Sequence, residues 1–202
     1  LVVSGFSGAG KGTLMKELVS RYDNYALSIS ATTRSPREGE VDGREYFFRT
    51  KEEFEQMIAD EALIEHACYV GNYYGTPRAY VEEQLALGRD VILEIEIQGA
   101  LQIKKRFPDT LLLFVSTPDA ETLKNRLIGR GTESLDVVEK RLSRASEEAE
   151  GIENYDYFII NDDLDTCVTQ VHQIIQGEHS RVSRNLELIN TIKKDISKFQ
   201  KG

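Results

Sequence analysis

The sequence predicts an α/β protein: a parallel sheet core flanked by helices, interrupted by an inserted α+β subdomain and by a second, polar insertion. Three observations predict it. An apolar run, Leu1 to Ser4, leads into a glycine-rich turn and then directly into a helical pattern. Further short apolar runs alternate with helical stretches in the outer parts of the chain, as parallel strands joined by crossover helices do. Residues 31 to about 80 have another character, rich in Arg, Gly, Glu and Tyr. At 202 residues the chain suits one such core with its insertions and a sizeable buried interior.

The first strand, Leu1 to Ser4, ends in GFSGAGKGT, residues 5 to 13. Gly5, Gly8 and Gly10 can take backbone angles closed to other residues, so successive N–H groups can curl toward one anion at the start of the following helix. Lys11 adds charge, and a nucleoside triphosphate is the ligand this pattern suits. In the common form GxxxxGK is followed directly by a Ser or Thr that ligates Mg²⁺; here Gly12 stands in that slot and Thr13 comes next. Leu14, Leu18 and Val19 then recur at helical spacing, with Lys16, Glu17 and Arg21 on other faces. Further strands are expected at Ala26 to Ser30, Asp90 to Ile95, Thr110 to Ser116 and Tyr157 to Ile160. Inside the first insertion, Thr50 with Glu53 makes a capping box before a helix whose Phe54, Met57 and Ile58 form one apolar side. Thr76 before Pro77 suits another helix start, with Thr as N-cap and Pro at the first position. The polar insertion, about Thr122 to Glu150, carries LKNRLIGRGTES and KRLSRASEEAE and reads as a cover over the site. From Asp163 to Phe199 the pattern is helical and charged, broken near Gly177, without repeats or low-complexity runs.

A formal net charge of -9 argues against a general binder of nucleic acid or anionic membrane, which needs a broad basic face. Cations that bind anions must then be locally concentrated. Cys68 and Cys167 lie far apart, with no metal-ligand spacing or disulfide framework, which fits a reducing cytoplasm. The longest apolar stretches, such as Leu111 to Val115, are too short for a bilayer, and the first residues read as core strand rather than a targeting peptide.

A second anion site is written in TTRSPREGEVDGREY, residues 32 to 46. Arg34, Arg37 and Arg44 sit on a path shaped by Pro36, Gly39 and Gly43; an Arg fork grips phosphate oxygens in pairs, and Tyr46 adds a neutral donor. Taken alone, the stretch equally suits a solvated loop whose arginines pair with Glu38, Glu40 and Asp42. Glu65 in LIEHACY and the phenols and hydroxyl of GNYYGT, residues 71 to 76, then gather groups suited to a purine edge.

In order and spacing, GFSGAGKGT, TTRSPREGE, GNYYGT, EIEIQG, GRGTES and INDDLD resemble guanylate kinases over nearly the whole chain. The resemblance implies a single domain over residues 1–202: a P-loop NTPase-type core (1–30, 81–121 and 151–202), a GMP-binding insert (31–80) and a lid (122–150). It implies transfer of the γ-phosphoryl group of MgATP to GMP, giving ADP and GDP, in purine nucleotide metabolism, where GMP is recycled and GTP and dGTP are supplied. ATP would lie on Gly5, Phe6, Ser7, Gly8, Ala9, Gly10, Lys11, Gly12 and Thr13, with Asn161 and Asp162 bordering the adenine or its ribose. Arg34, Arg37, Tyr46 and Tyr74 would hold the GMP phosphate; Ser30, Glu65, Thr76 and Glu96 would recognise the guanine. Lys11, Arg37, Arg126, Arg130 and Arg141 would carry catalysis, with Mg²⁺ held through ATP phosphates and waters and supported by Thr13 and Glu94.

Two departures stand out. Phe6 replaces a common Pro, and Glu94 and Glu96 stand where Asp is frequent, which leaves open which carboxylate meets the metal's water and which the nucleotide; Glu96 is assigned to the base side. Guanine offers N1–H and an amine as adjacent donors that one carboxylate accepts together, whereas adenine presents a lone pair at N1, and such sites discriminate by roughly 10⁴-fold or more. The attacking group is a phosphate oxygen, so no protein nucleophile is needed, and His66, His172 and His179 read as surface or packing residues. The rivals are another nucleoside monophosphate kinase, which would lack GNYYGT with Glu65, and a non-catalytic guanylate-kinase-like peptide-binding module, which would have abandoned Lys11 and its glycines. The implied partners are ATP and GMP, with no nucleic acid and no membrane; dGMP as a second acceptor and a homo-oligomer stay open.

Overall fold

The apolar runs of the N-terminal part become a parallel sheet. The computed structural model describes residues 1–69, 71–129 and 135–199. In the first of two units, Leu1–Asp162, the elements are β1 (Val2–Gly5), α1 (Lys11–Arg21), β2 (Tyr25–Leu27), β3 (Ala31–Thr32), β4 (Phe47–Phe48), α2 (Lys51–Ala59), β5 (Leu63–Tyr69) and β6 (Asn72–Pro77). They continue with α3 (Arg78–Ala86), β7 (Asp90–Glu94), α4 (Ile97–Arg106), β8 (Leu112–Ser116), α5 (Ala120–Gly129), α6 (Leu135–Ala149) and β9 (Tyr157–Ile160). The second unit, from Asp163 on, holds α7 (Leu164–His179) and α8 (Leu186–Lys198).

The main sheet has the order β2-β7-β1-β8-β9, all parallel. Its centre is apolar without alternation: every residue of β1 and of β8 is buried. Parallel strands covered on both faces read in just this way. The buried hydroxyl of Ser4 is satisfied by donating to the Ile95 carbonyl at 2.7 Å. Ligands of open parallel sheets bind beyond the carboxyl ends of the strands. Here that rim carries the glycine loop after β1 and the segment Ile95–Glu96 after β7.

A smaller sheet, β4-β3-β6-β5, forms in the insertion, with β3 and β4 parallel and the other neighbours antiparallel. The capping box forms as the spacing predicts: the Glu53 amide donates to Thr50 Oγ1 at 3.1 Å, and the Thr50 amide to Glu53 Oε2 at 2.7 Å. Phe54 is buried with Ala31 and Leu63, and Phe47, Met57, Ile58 and Tyr73 pack around them.

Three boundaries differ from the sequence reading. The strand expected over Ala26 to Ser30 leaves β7 at Leu27, and Ala31 already belongs to the smaller sheet, so Ser30 sits where the chain crosses from one sheet to the other. Thr76 does not cap a helix. It stays extended in β6, the helix begins at Arg78 after Pro77, and the Thr76 hydroxyl turns to Glu65 instead. Helix α7 runs through Gly177 to His179, since one interior glycine costs about 1 kcal/mol, which a long helix absorbs.

Leu123 and Leu127 of α5 and Ala145 of α6 form a buried cluster against which Leu142 and Phe6 pack. No described helix is long and apolar enough to cross a membrane.

Candidate active site

Gly5 ends β1 with φ +151°, and a Cβ built there would stand 2.0 Å from the Val115 carbonyl oxygen, so no side chain fits between the loop and β8. Gly10 is the N-cap of α1 at φ +87°, in the left-handed region, and no side chain caps the helix. The first amides of α1 are therefore left for a ligand, at the positive end of the helix dipole and with no acidic residue in the first turn. Lys11 folds over the loop, its ammonium donating to the carbonyls of Gly5 (2.7 Å) and Phe6 (3.2 Å). From α6, Arg141 reaches across to donate to Ser7 Oγ at 2.9 Å. Phe6 meets Phe114 of β8 edge to face at 5.0 Å and packs with Leu123 and Leu127. The residue that departs from the common Pro thus ties the loop both to the sheet and to the α5–α6 pair.

The loop forms one wall of a cleft of about 830 Å³. On the facing wall Tyr46 and Tyr74 meet edge to face at 6.1 Å, and the Arg34 guanidinium lies 5.3 Å over the Tyr46 ring. Glu40 takes both of its oxygens to Arg34 Nη2, each at 2.9 Å, and accepts the Arg37 amide at 2.7 Å. Burial opposes ionisation of Glu40, but the Arg37 amide and the Arg34 guanidinium outweigh it and hold the carboxyl below its usual value. The Arg37 side chain is exposed and lines the cleft.

Deeper in, Glu65 is buried, and Thr76 Oγ1 donates to its Oε1 at 2.7 Å. Burial pushes the Glu65 carboxyl up to about 7, against the pull of the Thr76 hydrogen bonds. Half-buried Glu94 stands beside the first turn of α1. A Cβ on Gly12 would lie 3.9 Å from Glu94 Oε2, and burial raises the carboxyl despite the nearby Lys11 charge.

The cleft brings together Ser7, Gly8, Gly10, Lys11 and Gly12 on one side, and Ser30, Arg34, Arg37, Tyr46, Glu65 and Tyr74 on the other, with Glu94, Glu96 and Arg141 between them. It does not bring in every residue assigned from sequence. Thr13 is exposed and lines no part of the cleft, nor does exposed Asp162; Gly5, Phe6 and Ala9 lie off its lining, and Thr76 stands behind Glu65. Asn161 is buried and donates to the Ala9 carbonyl at 2.8 Å, while Arg126 donates to the Asn161 carbonyl at 2.9 Å. That chain of bonds braces the underside of the loop. Arg130 lies outside the described residues.

Sequence reasoning missed Asn72, Gly99, Ser143, Arg144 and Glu147, which also line the cleft. It missed Glu148 too, which pairs with Arg144 at 3.2 Å and is pushed up to about 7 by burial and then by the charge of Glu96. A signal for Arg144 and Glu148 was present: with Arg141 they fall on one helical face at spacings of three and four.

Comparison with known proteins gives consistent matches. The family model described as Guanylate kinase matches residues 1–178. The chain is 53% identical over 185 residues to a guanylate kinase of Bacillus anthracis, covering 91% of this chain and 90% of that protein. It is 49% identical over 187 residues to one of Lactococcus lactis subsp. lactis, covering 93% and 91%. The crystal structure of guanylate kinase from Anaplasma phagocytophilum superposes with a TM-score of 0.74 at 29% identity, over 91% of this chain and 87% of that one.

Proposed function

The chain belongs to the guanylate kinase family and is an ATP:GMP phosphotransferase; from that premise we propose how its residues divide the reaction. The observation that carries the assignment is the cleft in which the glycine loop with Lys11 faces a wall of Arg34, Arg37, Tyr46, Tyr74 and Glu65.

GMP would sit on that second wall. Its phosphate, offering oxygens to an arginine fork, would replace the Glu40 carboxylate on Arg34 and draw in Arg37, Tyr46 and Tyr74. Its base would set N1–H and the 2-amino group against the Glu65 carboxylate, with Ser30, Thr76 and Glu96 around it. ATP would lie on the loop from Gly5 to Thr13, its phosphates taking the α1 amides, and Lys11 would exchange its two loop carbonyls for β- and γ-phosphate oxygens.

The acceptor is an ionised phosphate oxygen of GMP. A bond forms from it to the γ-phosphorus as the bond to the β–γ bridging oxygen breaks, and ADP leaves with that electron pair. Little covalent work falls to the protein, whose part is alignment and stabilisation of charge spread over the transferring oxygens. Arg141 already touches the loop at Ser7; Arg37, Arg126 and Arg130 would join it on the triphosphate, Arg126 giving up its bond to Asn161. Asn161 and Asp162 would border the adenosine end.

A Mg²⁺ ion fits the donor set. Hard cations of this kind take phosphate, water and carboxylate oxygens, and the Glu94 carboxylate stands beside Gly12 and Lys11 where the triphosphate would end. When bound it would neutralise charge on the β- and γ-phosphates, with Glu94 holding its waters and Thr13 a more remote support. Residues 31–80 would act as the GMP-binding insert and 122–150 as a lid over a core of 1–30, 81–121 and 151–202. A cytoplasmic setting accords with the free thiols of Cys68 and Cys167.

The test is ADP release measured with GMP, AMP, CMP and UMP in parallel. GMP should be strongly preferred, by about 10⁴-fold over AMP. Comparable turnover of AMP and GMP would contradict the assignment of the second wall.

A further inference from the structure

Gly99 is the third residue of α4, and it is buried. Its backbone is not in the left-handed region that demands glycine. Alanine in such a position would favour the helix, so the helix itself gives no reason for a glycine. The neighbour does. A methyl group on Gly99 would lie 2.6 Å from Glu65 Oε2, 3.3 Å from Glu65 Cδ and 3.2 Å from Ile95 Cδ1. No carbon approaches a carboxylate oxygen that closely.

The Glu65 carboxylate is thereby defined at both oxygens. Oε1 is fixed by the Thr76 hydroxyl at 2.7 Å. Oε2 rests against the bare backbone of Gly99, next to the N-terminal turn of α4, whose dipole favours negative charge there. We infer that Gly99 is a specificity-determining, positioning residue: its missing side chain is what allows Glu65 to present both carboxylate oxygens to the two adjacent donors of guanine. The inference rests on the reading of Glu65 as the guanine acceptor and adds the residue that sets its aim.

The consequence of a methyl group follows from what would yield. The atoms it meets are the far ends of two side chains, so the fold adjusts, but the adjustment turns the carboxylate about its Thr76 anchor and carries Oε2 off the line of the base. Displacements well under an ångström degrade a paired hydrogen bond, and about 1 Å of misplacement costs on the order of 10²-fold in related positioning effects.

The test compares wild type, Gly99→Ala, Glu65→Asp, Glu65→Ala and the Gly99→Ala/Glu65→Asp double variant by thermal unfolding and by steady-state kinetics with GMP and AMP. Gly99→Ala should unfold no lower than wild type. Its KM for GMP should rise about tenfold or more with a smaller change in kcat and in KM for ATP, and its preference for GMP over AMP should shrink. Shortening Glu65 by one methylene withdraws the carboxylate from Gly99, so adding Gly99→Ala to Glu65→Asp should cost less than about twofold further. A folded Gly99→Ala enzyme with wild-type KM and preference would overturn the inference, as would an equal loss in the Glu65→Asp background. A loss of folding that Glu65→Asp does not relieve would overturn it too, because Glu65 would not then be what the methyl group meets. If Glu65→Ala leaves the GMP preference intact, the guanine assignment of Glu65 fails and the inference with it; if Glu65→Ala abolishes the preference and Gly99→Ala does not touch it, the inference about Gly99 alone falls.

Discussion

Glu65 combines two demands that conflict: it is buried, which favours the protonated form and lifts its carboxyl from 4.5 to about 7, and the proposed guanine role needs it ionised to accept two donors at once. The folded chain therefore holds a proton that the unfolded chain has lost over that interval. Between about pH 4.5 and 7 this residue makes stability fall as pH rises, and its penalty is full above 7. GMP binding pulls the other way. The ratio of KM for GMP in wild type to that in Glu65→Gln should fall as pH rises through about 7, the titration of the GMP phosphate cancelling in the ratio; a pH-independent ratio would contradict the role. On the donor side, Lys11→Met should lower kcat by about 10² to 10³, as removal of one charge-stabilising group does, with little change in KM for GMP. The residues proposed for both sites were legible where chemistry is local: four glycines and a lysine in nine residues, or two arginines about a proline. For the arginine stretch both readings hold at once, since Arg34 faces the cleft and pairs with Glu40. Gly99 was not legible, because what it does depends on Glu65, which lies 34 positions earlier and meets it only in the fold.

Elements read well from sequence where they are long and apolar or carry their own caps. β7, β8 and β9 lie where apolar runs predict them, and α2 starts at the Thr50 capping box. Thr50→Ala should destabilise the protein by about 1 kcal/mol, or roughly 2–4 °C in Tm, because the hydroxyl satisfies the Glu53 amide; an unchanged Tm in thermal unfolding would argue that α2 needs no cap. β3 and β4, two residues each, were not legible: no periodicity shows in two positions, and their pairing is set by β6 and by the packing of Phe54. Thr76 shows the limit of local rules. Its sequence neighbour Pro77 favours a helix start, and a buried carboxylate across the hairpin takes the hydroxyl instead.

At the scale of the molecule, the cleft draws its walls from the loop after β1, the β3–β6 insertion, the end of β7 and helix α6. Segments so far apart in sequence can be assigned one by one, but their alignment exists only in the fold. In the free protein the cations proposed to take substrate are engaged by protein groups: Lys11 by loop carbonyls, Arg34 by Glu40, Arg126 by Asn161. Ligands must exchange these contacts, and water must be kept from the γ-phosphate, so residues 31–80 and 122–150 are expected to draw together when both nucleotides bind. Small-angle scattering should show a smaller radius of gyration on adding a bisubstrate analogue, and an unchanged curve would contradict closure. A crystal structure with GMP and a non-hydrolysable ATP analogue bound together would decide whether two facing nucleotide sites are aligned for transfer. Guanine should lie on Glu65, its phosphate on Arg34 and Arg37, and the γ-phosphate of the analogue at Lys11 in line with the GMP phosphate. A structure in which GMP leaves the Glu65 wall empty, or lies with its phosphate away from Lys11, would contradict it.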